Sequence, residues 1–190
     1  GGWTLDDEIE ERVLEGKGFE VGEVRHLIGQ IADGLQAAHA LQIVHRDLKP
    51  ENVMLQDVPG RPRLVRLLDF GLAKDVSVRA HPSFVTGTPE FMAPEQIEAR
   101  GIGPWTDLYA LALLAYQMIA GRSPFDEKGY EALFGRKMDK DYDPTGPLQS
   151  LQLHEEVIAF FRKALAVEPG QRYQDVAEFR AAFDAAMGRL

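Results

Sequence analysis

Apolar residues at Leu5, Ile9 and Val13 recur every fourth position, which predicts a short helix ending at Gly16-Lys17-Gly18. Val24, Leu27, Ile28, Ile31, Leu35 and Ala38 form the stripe of a longer amphipathic helix. The stretch "QIVH", residues 42–45, reads as a brief buried strand. "NVML" and "LVRLLDF" read as two more, and the Pro-Gly turn in "DVPGRP" between them predicts a hairpin. Residues 71–104 show no period and hold four prolines (Pro82, Pro89, Pro94 and Pro104), the mark of a long loop that is functional or disordered. "WTDLYALALLAYQMIAG" is apolar on nearly every side and predicts a helix buried all round, closed by Gly121. Residues 126–150 are polar and carry no clear assignment. Val157, Ile158, Phe160, Phe161, Ala164 and Leu165 give another helix, stopped by "EPG"; Val176, Phe179, Phe183 and Met187 give the last. The expected fold is mainly α with a small β-hairpin, its few strands packed around two polar loops.

Composition narrows the class. A chain of 190 residues with 45% apolar and 27% charged residues suits one globular domain with a real core. The net charge of −9 argues against a nucleic-acid partner, and the longest positive cluster, Arg61, Arg63 and Arg66, is thin. The absence of cysteine excludes disulfides, zinc-thiolate sites and thiol catalysis, and fits a reducing, cytoplasmic setting. No window reaches the roughly 18 uninterrupted apolar residues of a membrane span. The opening "GGWTLDDEIEE" is acidic and has no apolar run, so it does not read as a signal peptide.

The candidate chemistry lies in the loops. In "HRDLKPEN", His45 to Asn52, an Asp can orient a hydroxyl and accept its proton. A Lys two residues on can neutralise a transferring phosphate, and an Asn five residues on can offer an amide oxygen to a metal. Phosphoryl transfer needs these functions, because its catalysis is mainly positioning and charge stabilisation. A capped turn, with Asp47 and Asn52 bonding their own backbone, accounts for the stretch taken alone. "LDFG", Leu68 to Gly71, sets a carboxylate at the end of an apolar strand, placed to ligate Mg²⁺; by itself it is equally a strand running into a turn. Asp69 comes 22 residues after Asp47, across the expected hairpin, so the two polar ends can meet at one edge. "GTPEFMAPE", Gly87 to Glu95, is the third piece.

Together, and in this order, the three pieces resemble the catalytic loop, magnesium loop and activation segment of the eukaryotic-type serine/threonine protein kinase family, from about Trp3 to Leu190. The resemblance implies a protein-kinase-like C-terminal lobe over residues 1–190. It makes Asp47 the catalytic base, Lys49 the phosphate-contacting lysine, Asn52 and Asp69 the magnesium ligands, and Met54 the residue beneath the adenine ring of ATP. Thr88 matches the threonine of the substrate-docking loop. His45 and Phe70 match the lower half of a stacked apolar column. Glu95 matches a glutamate that pairs with Arg172, and Asp107 an aspartate that braces the catalytic-loop backbone. Ala112 replaces the family's usual glycine. Arg46, just before Asp47, is the arginine that a phosphorylated activation segment would engage. Ser83 and Thr86 are the better candidate acceptors and Ser77 a further one, though each also reads as an ordinary loop residue.

The family's other half is not matched. No G-x-G-x-x-G occurs, "GKGFEVGE" has the wrong spacing, and no V-A-I-K-like strand precedes His45. The expectation is a lobe without its N-terminal partner. It is either part of a longer kinase that moves the γ-phosphate of Mg-ATP to protein hydroxyls, or a lone pseudokinase-like scaffold that binds a partner. A protein substrate and the missing lobe are the implied partners. Self-association is also expected, through apolar surface around Met54, Leu55 and Phe70 or through exchange of the activation segment.

Overall fold

The computed structural model describes residues 2–70 and 89–190. Its elements run β1 (Trp3–Thr4), α1 (Leu5–Glu15), α2 (Val21–Ala40), β2 (Val53–Val58), β3 (Arg61–Leu67), α3 (Pro94–Ile97) and α4 (Pro104–Ala120). Then follow α5 (Tyr130–Met138), α6 (Gly146–Gln149), α7 (Glu155–Ala164) and α8 (Val176–Met187). The mainly helical architecture with a small hairpin is as the sequence pattern indicated.

Helix α4 is the axis. Every residue from Thr106 to Tyr116 is buried, because apolar side chains occupy all faces of the helix. It packs against α2 and α7, and both of these pack against α8. Gly121, at φ +67°, closes α4 by donating its N–H to the Gln117 carbonyl, a left-handed cap that favours glycine. Between α7 and α8 an aromatic cluster centres on Phe160, with Phe161, Tyr173, Phe179 and Phe183 ring centroids 5.1 to 5.5 Å away.

The sheet is antiparallel in the order β1-β2-β3. β2 and β3 form the expected hairpin, pairing Val53 with Leu67 and Leu55 with Val65. β1 adds a third strand of two residues, too short to leave a period in the sequence. β3 lies close over α2: a Cβ built at Gly34 would meet Leu67 Cδ1 at 3.0 Å. Alternation along β2 turns Val53 and Leu55 inward and leaves Met54 on the other face, half-buried. The expectation that Leu55 contributes to an uncovered apolar surface is therefore wrong; it is 0% exposed.

Two further expectations need correction. "QIVH" is not a strand, since its backbone donors find other acceptors: Ile43 N–H bonds the Ala38 carbonyl, and His45 N–H bonds a side chain of α4. The last strand stops at Leu67 rather than running to Phe70, because Asp69 adopts φ +50°, which breaks extended backbone. Residues 126–150, left unassigned by their polarity, hold α5 and α6.

Glu95 of α3 and Arg172, just before α8, form the buried pair expected from the sequence. Both guanidinium NH groups meet the carboxylate at 2.9 Å, with the residues 3% and 2% exposed. Thr106 Oγ1 donates to Glu95 at 2.8 Å, and Arg172 also donates to the Ala166 and Val167 carbonyls. Near the other end, Arg12 and Arg63 each bind both Glu8 and Glu23, tying α1, α2 and β3 together. Chiefly through its hydrogen bond with Arg12, the Glu23 carboxyl is held at about 2.

Arg172→Ala would leave Glu95 buried without a counter-charge and should lower unfolding stability by about 3–5 kcal/mol. Denaturant titration checks this, and a loss under about 1 kcal/mol would contradict the packing described. Glu23 binds protons more weakly folded than unfolded, so its contribution is complete above the usual carboxylate value of 4.5 and fades as pH falls towards 2. The acid limb of a stability-pH curve should flatten in Glu23→Gln.

Candidate active site

Asp107 projects from the first turn of α4 and is 1% exposed. Its carboxylate accepts the N–H of His45 at 2.8 Å and of Arg46 at 2.9 Å, and His39 Nε2 donates to it at 2.7 Å. Arg46 has φ +66°, and this left-handed residue helps turn two successive N–H groups towards one anion. The 45–52 loop is thus fixed from beneath by a helix rather than by strand pairing.

His45 carries the constraint across the site. Its Nδ1 accepts the Asp47 N–H at 3.3 Å, so hydrogen sits on Nε2, which donates to the Leu68 carbonyl at 2.9 Å. Leu68 N–H in turn bonds the Asn52 carbonyl at 2.9 Å. The residue before Asp69 is therefore held on both sides by the loop that carries Asp47 and Asn52. The His45 and Phe70 rings stack at a tilt, with centroids 4.6 Å apart. The two polar ends singled out in the sequence do meet at one edge of the hairpin.

The functional side chains follow from this frame. Asn52 is buried and spends its amide hydrogens on Asp47, reaching the carbonyl at 2.7 Å and Oδ2 at 3.2 Å. Its amide oxygen is engaged by neither bond. Asp69 stands exposed at φ +50°, a conformation that asparagine and aspartate tolerate better than most side chains. Lys49 is partly buried, with Nζ 3.9 Å from Glu51. Asp47, Lys49, Arg46, Phe91 and Met92 line one small crevice. Arg46 Nε is buried and finds no hydrogen-bond partner among the described residues. Met54 lies on β2 opposite Arg66 and Thr4. Ser77, Ser83, Thr86 and Thr88 fall outside the described residues.

Three contributors were not found from the sequence. His39 occupies the last turn of α2, one residue beyond its apolar stripe. Gln96 accepts the Ala93 N–H at 3.0 Å and donates to the Arg46 carbonyl at 2.7 Å, joining α3 to the loop. Lys137 is buried on α5, and its Nζ binds the Glu90 and Met92 carbonyls beside the crevice. The available signal was its spacing, four residues after Leu133 on the inward stripe.

In chemical terms, the site offers a carboxylate held by an amide, a nearby ammonium group, and two oxygen donors, Asn52 and Asp69, of the hard type that suits Mg²⁺. Comparison with known proteins shows the family to which this chain is similar. The model of the protein kinase domain matches residues 4–182. The chain is 40% identical over 178 residues to the serine/threonine-protein kinase Pkn1 of Myxococcus xanthus, covering 90% of this chain and 25% of the relative. It is 31% identical over 166 residues to human calcium/calmodulin-dependent protein kinase type 1B, covering 87% and 48%. Among solved structures, the Mycobacterium tuberculosis PknI kinase domain superposes with a TM-score of 0.71 at 26% identity, covering 97% of this chain and 62% of that one. A crystal structure of Rad53 with AMP-PNP gives a TM-score of 0.69 at 27% identity, covering 90% and 42%. The chain spans a quarter to a half of the length of these two curated relatives.

Asp107→Asn would turn one carboxylate oxygen into a donor facing another donor. The expected cost is about 1–3 kcal/mol in unfolding stability, with faster hydrogen exchange at the His45 and Arg46 amides. Unchanged exchange at both would refute the bracing role.

Proposed function

The chain belongs to the protein kinase domain family, and on that premise we propose that it is the C-terminal lobe of a serine/threonine kinase whose whole protein transfers the γ-phosphate of ATP to hydroxyls of protein substrates. The observation that carries this reading is the locking of Asp69 to the Asp47–Asn52 loop through His45 and Leu68. Such preorganisation suits a reaction that depends on placement.

In this reading Asp47, oriented by Asn52 Nδ2, receives the substrate hydroxyl and accepts its proton at the carboxylate. Lys49 balances phosphate charge from the same crevice. The Asn52 amide oxygen and the Asp69 carboxylate would hold Mg²⁺, which supplies charge neutralisation when bound. Met54 would pack against the adenine of ATP. The AMP-PNP complex of Rad53 supports the use of ATP. Thr88 serves substrate docking. A phosphate on Ser83 or Thr86 would engage Arg46, a role supported by its buried Nε, which has no hydrogen-bond partner among the described residues. An N-terminal lobe is the expected partner, and the ATP-supplying cytoplasm is the compartment implied. Self-association through the half-buried Met54 and Phe70 is part of the same proposal. Among the described residues, no helix is long and apolar enough to cross a membrane.

In the full-length protein, Asp47→Asn and Asp69→Asn should each reduce transfer from radiolabelled ATP by about a hundredfold or more, with unchanged melting curves. Full activity in either variant would contradict the roles assigned. The 190-residue chain alone should transfer little, because its sequence contains no glycine-rich loop or strand lysine to align the phosphates. Turnover comparable to the full-length protein, abolished by Asp47→Asn, would refute that.

A further inference from the structure

Lys137 is the least expected charge in the protein. It is 1% exposed, and among the described residues no carboxylate is hydrogen-bonded to its Nζ. Instead Nζ donates to two backbone carbonyls, of Glu90 and of Met92, the latter at 2.8 Å. The faces of Phe125 and Tyr109 flank it, with centroids at 4.7 and 5.2 Å. A lysine buried without a hydrogen-bonded carboxylate is costly, and methionine would fill much of the same space. What the lysine adds is a grip on the turn at Pro89–Phe91 and on Met92.

That turn is tethered at its other end. Ala93 N–H bonds Gln96, and Gln96 bonds the Arg46 carbonyl, one residue before Asp47. Phe91 and Met92 line the crevice that holds Asp47 and Lys49. α5 and the Asp47 loop are therefore linked through a single short stretch of backbone, pinned by Lys137 on one side and Gln96 on the other.

We propose that Lys137 is a positioning residue for protein-substrate docking: by gripping the Glu90 and Met92 carbonyls it fixes the 89–92 turn beside the Asp47 crevice, in the pose that a polypeptide substrate must meet. The proposal rests on the kinase reading above. It differs from a plain packing role in what it affects. A docking turn set wrongly weakens the encounter with protein substrate and leaves ATP handling unchanged. Burial also pushes the Lys137 ammonium down to about 7. The charged groups around it are Glu90 on the turn and Arg172 before α8, with the Tyr109 hydroxyl on α4. Below pH 7 the grip is charge-assisted; above it, a neutral amine holds the same carbonyls more weakly.

The test uses the full-length protein. Lys137→Met should raise KM for a protein substrate about tenfold, leave kcat and KM for ATP within about twofold, and be partly rescued by Lys137→Arg. Wild-type KM for the protein substrate should rise as pH passes 7, with KM for ATP flat, and this needs no variant to fold. An unchanged protein-substrate KM in Lys137→Met overturns the proposal, as does a fall in kcat without a change in KM. If that variant does not fold, a flat wild-type profile overturns it. Hydrogen exchange over residues 90–97 reads the grip without catalysis. Faster exchange confined to that stretch in Lys137→Met is expected, and unchanged exchange also overturns the proposal. Altered exchange in a protein whose wild type transfers no phosphate would instead overturn the kinase reading and the docking role with it, leaving the grip itself established.

Discussion

The organisation of this protein depends on one carboxylate meeting backbone N–H groups inside a core. Asp107 is buried, and a buried anion must be fully hydrogen-bonded or the fold does not tolerate it. Its partners are the amides of His45 and Arg46, together with the His39 imidazole. Satisfying the anion therefore determines where the loop lies. Once His45 is placed, its ring fixes Leu68, and Leu68 fixes the departure of the chain into Asp69. An electrostatic requirement in a helix is passed on as geometry at a strand end, with every step a bond between neighbours.

The same helix serves three kinds of buried charge, and each is satisfied differently. Asp107 takes backbone donors. Glu95 and Arg172 take each other, with Thr106 of α4 adding a hydroxyl. Lys137 takes backbone acceptors. The Tyr109 ring lies against both cations, 4.6 Å from Arg172 Cζ and 5.2 Å from Lys137 Nζ. Three residues of α4, Thr106, Asp107 and Tyr109, thus reach Glu95 of α3, the 45–52 loop, Lys137 of α5 and Arg172 before α8. The apolar remainder of α4 supplies burial and little direction.

Much of this was legible in the sequence, for identifiable reasons. Helices α1, α2, α7 and α8 each carry enough turns for a 3.6-residue period to show, α4 shows as a long apolar run closed by glycine, and the hairpin announces itself through Pro59-Gly60. The candidate site residues stood out as motifs, since Asp47, Lys49 and Asn52 stand within six positions and Asp69 follows an apolar strand. What stayed hidden depends on contacts far apart in the chain. "QIVH" has strand composition, yet its donors turn to residues 38 and 107. β1 is two residues long, and α5 hides its inward stripe because one of its two buried positions is a lysine. His39 and Gln96 look like surface polar residues until their partners, 68 and 50 positions away, are known.

The central helix also works as an angular ruler. Each residue of an α-helix advances about 1.5 Å and turns about 100°. Thr106, Asp107 and Tyr109 therefore point along three different bearings, and each bearing is occupied by a separate part of the chain. A length change before Gly103 falls in a loop and can be absorbed there. One residue more or less between Asp107 and Tyr109 would swing every later side chain by roughly a quarter-turn. The Tyr109 ring would leave both cations while Asp107 kept hold of the loop. In this stretch it is the count of residues, as much as their identity, that encodes the alignment between the loop and the helices behind it.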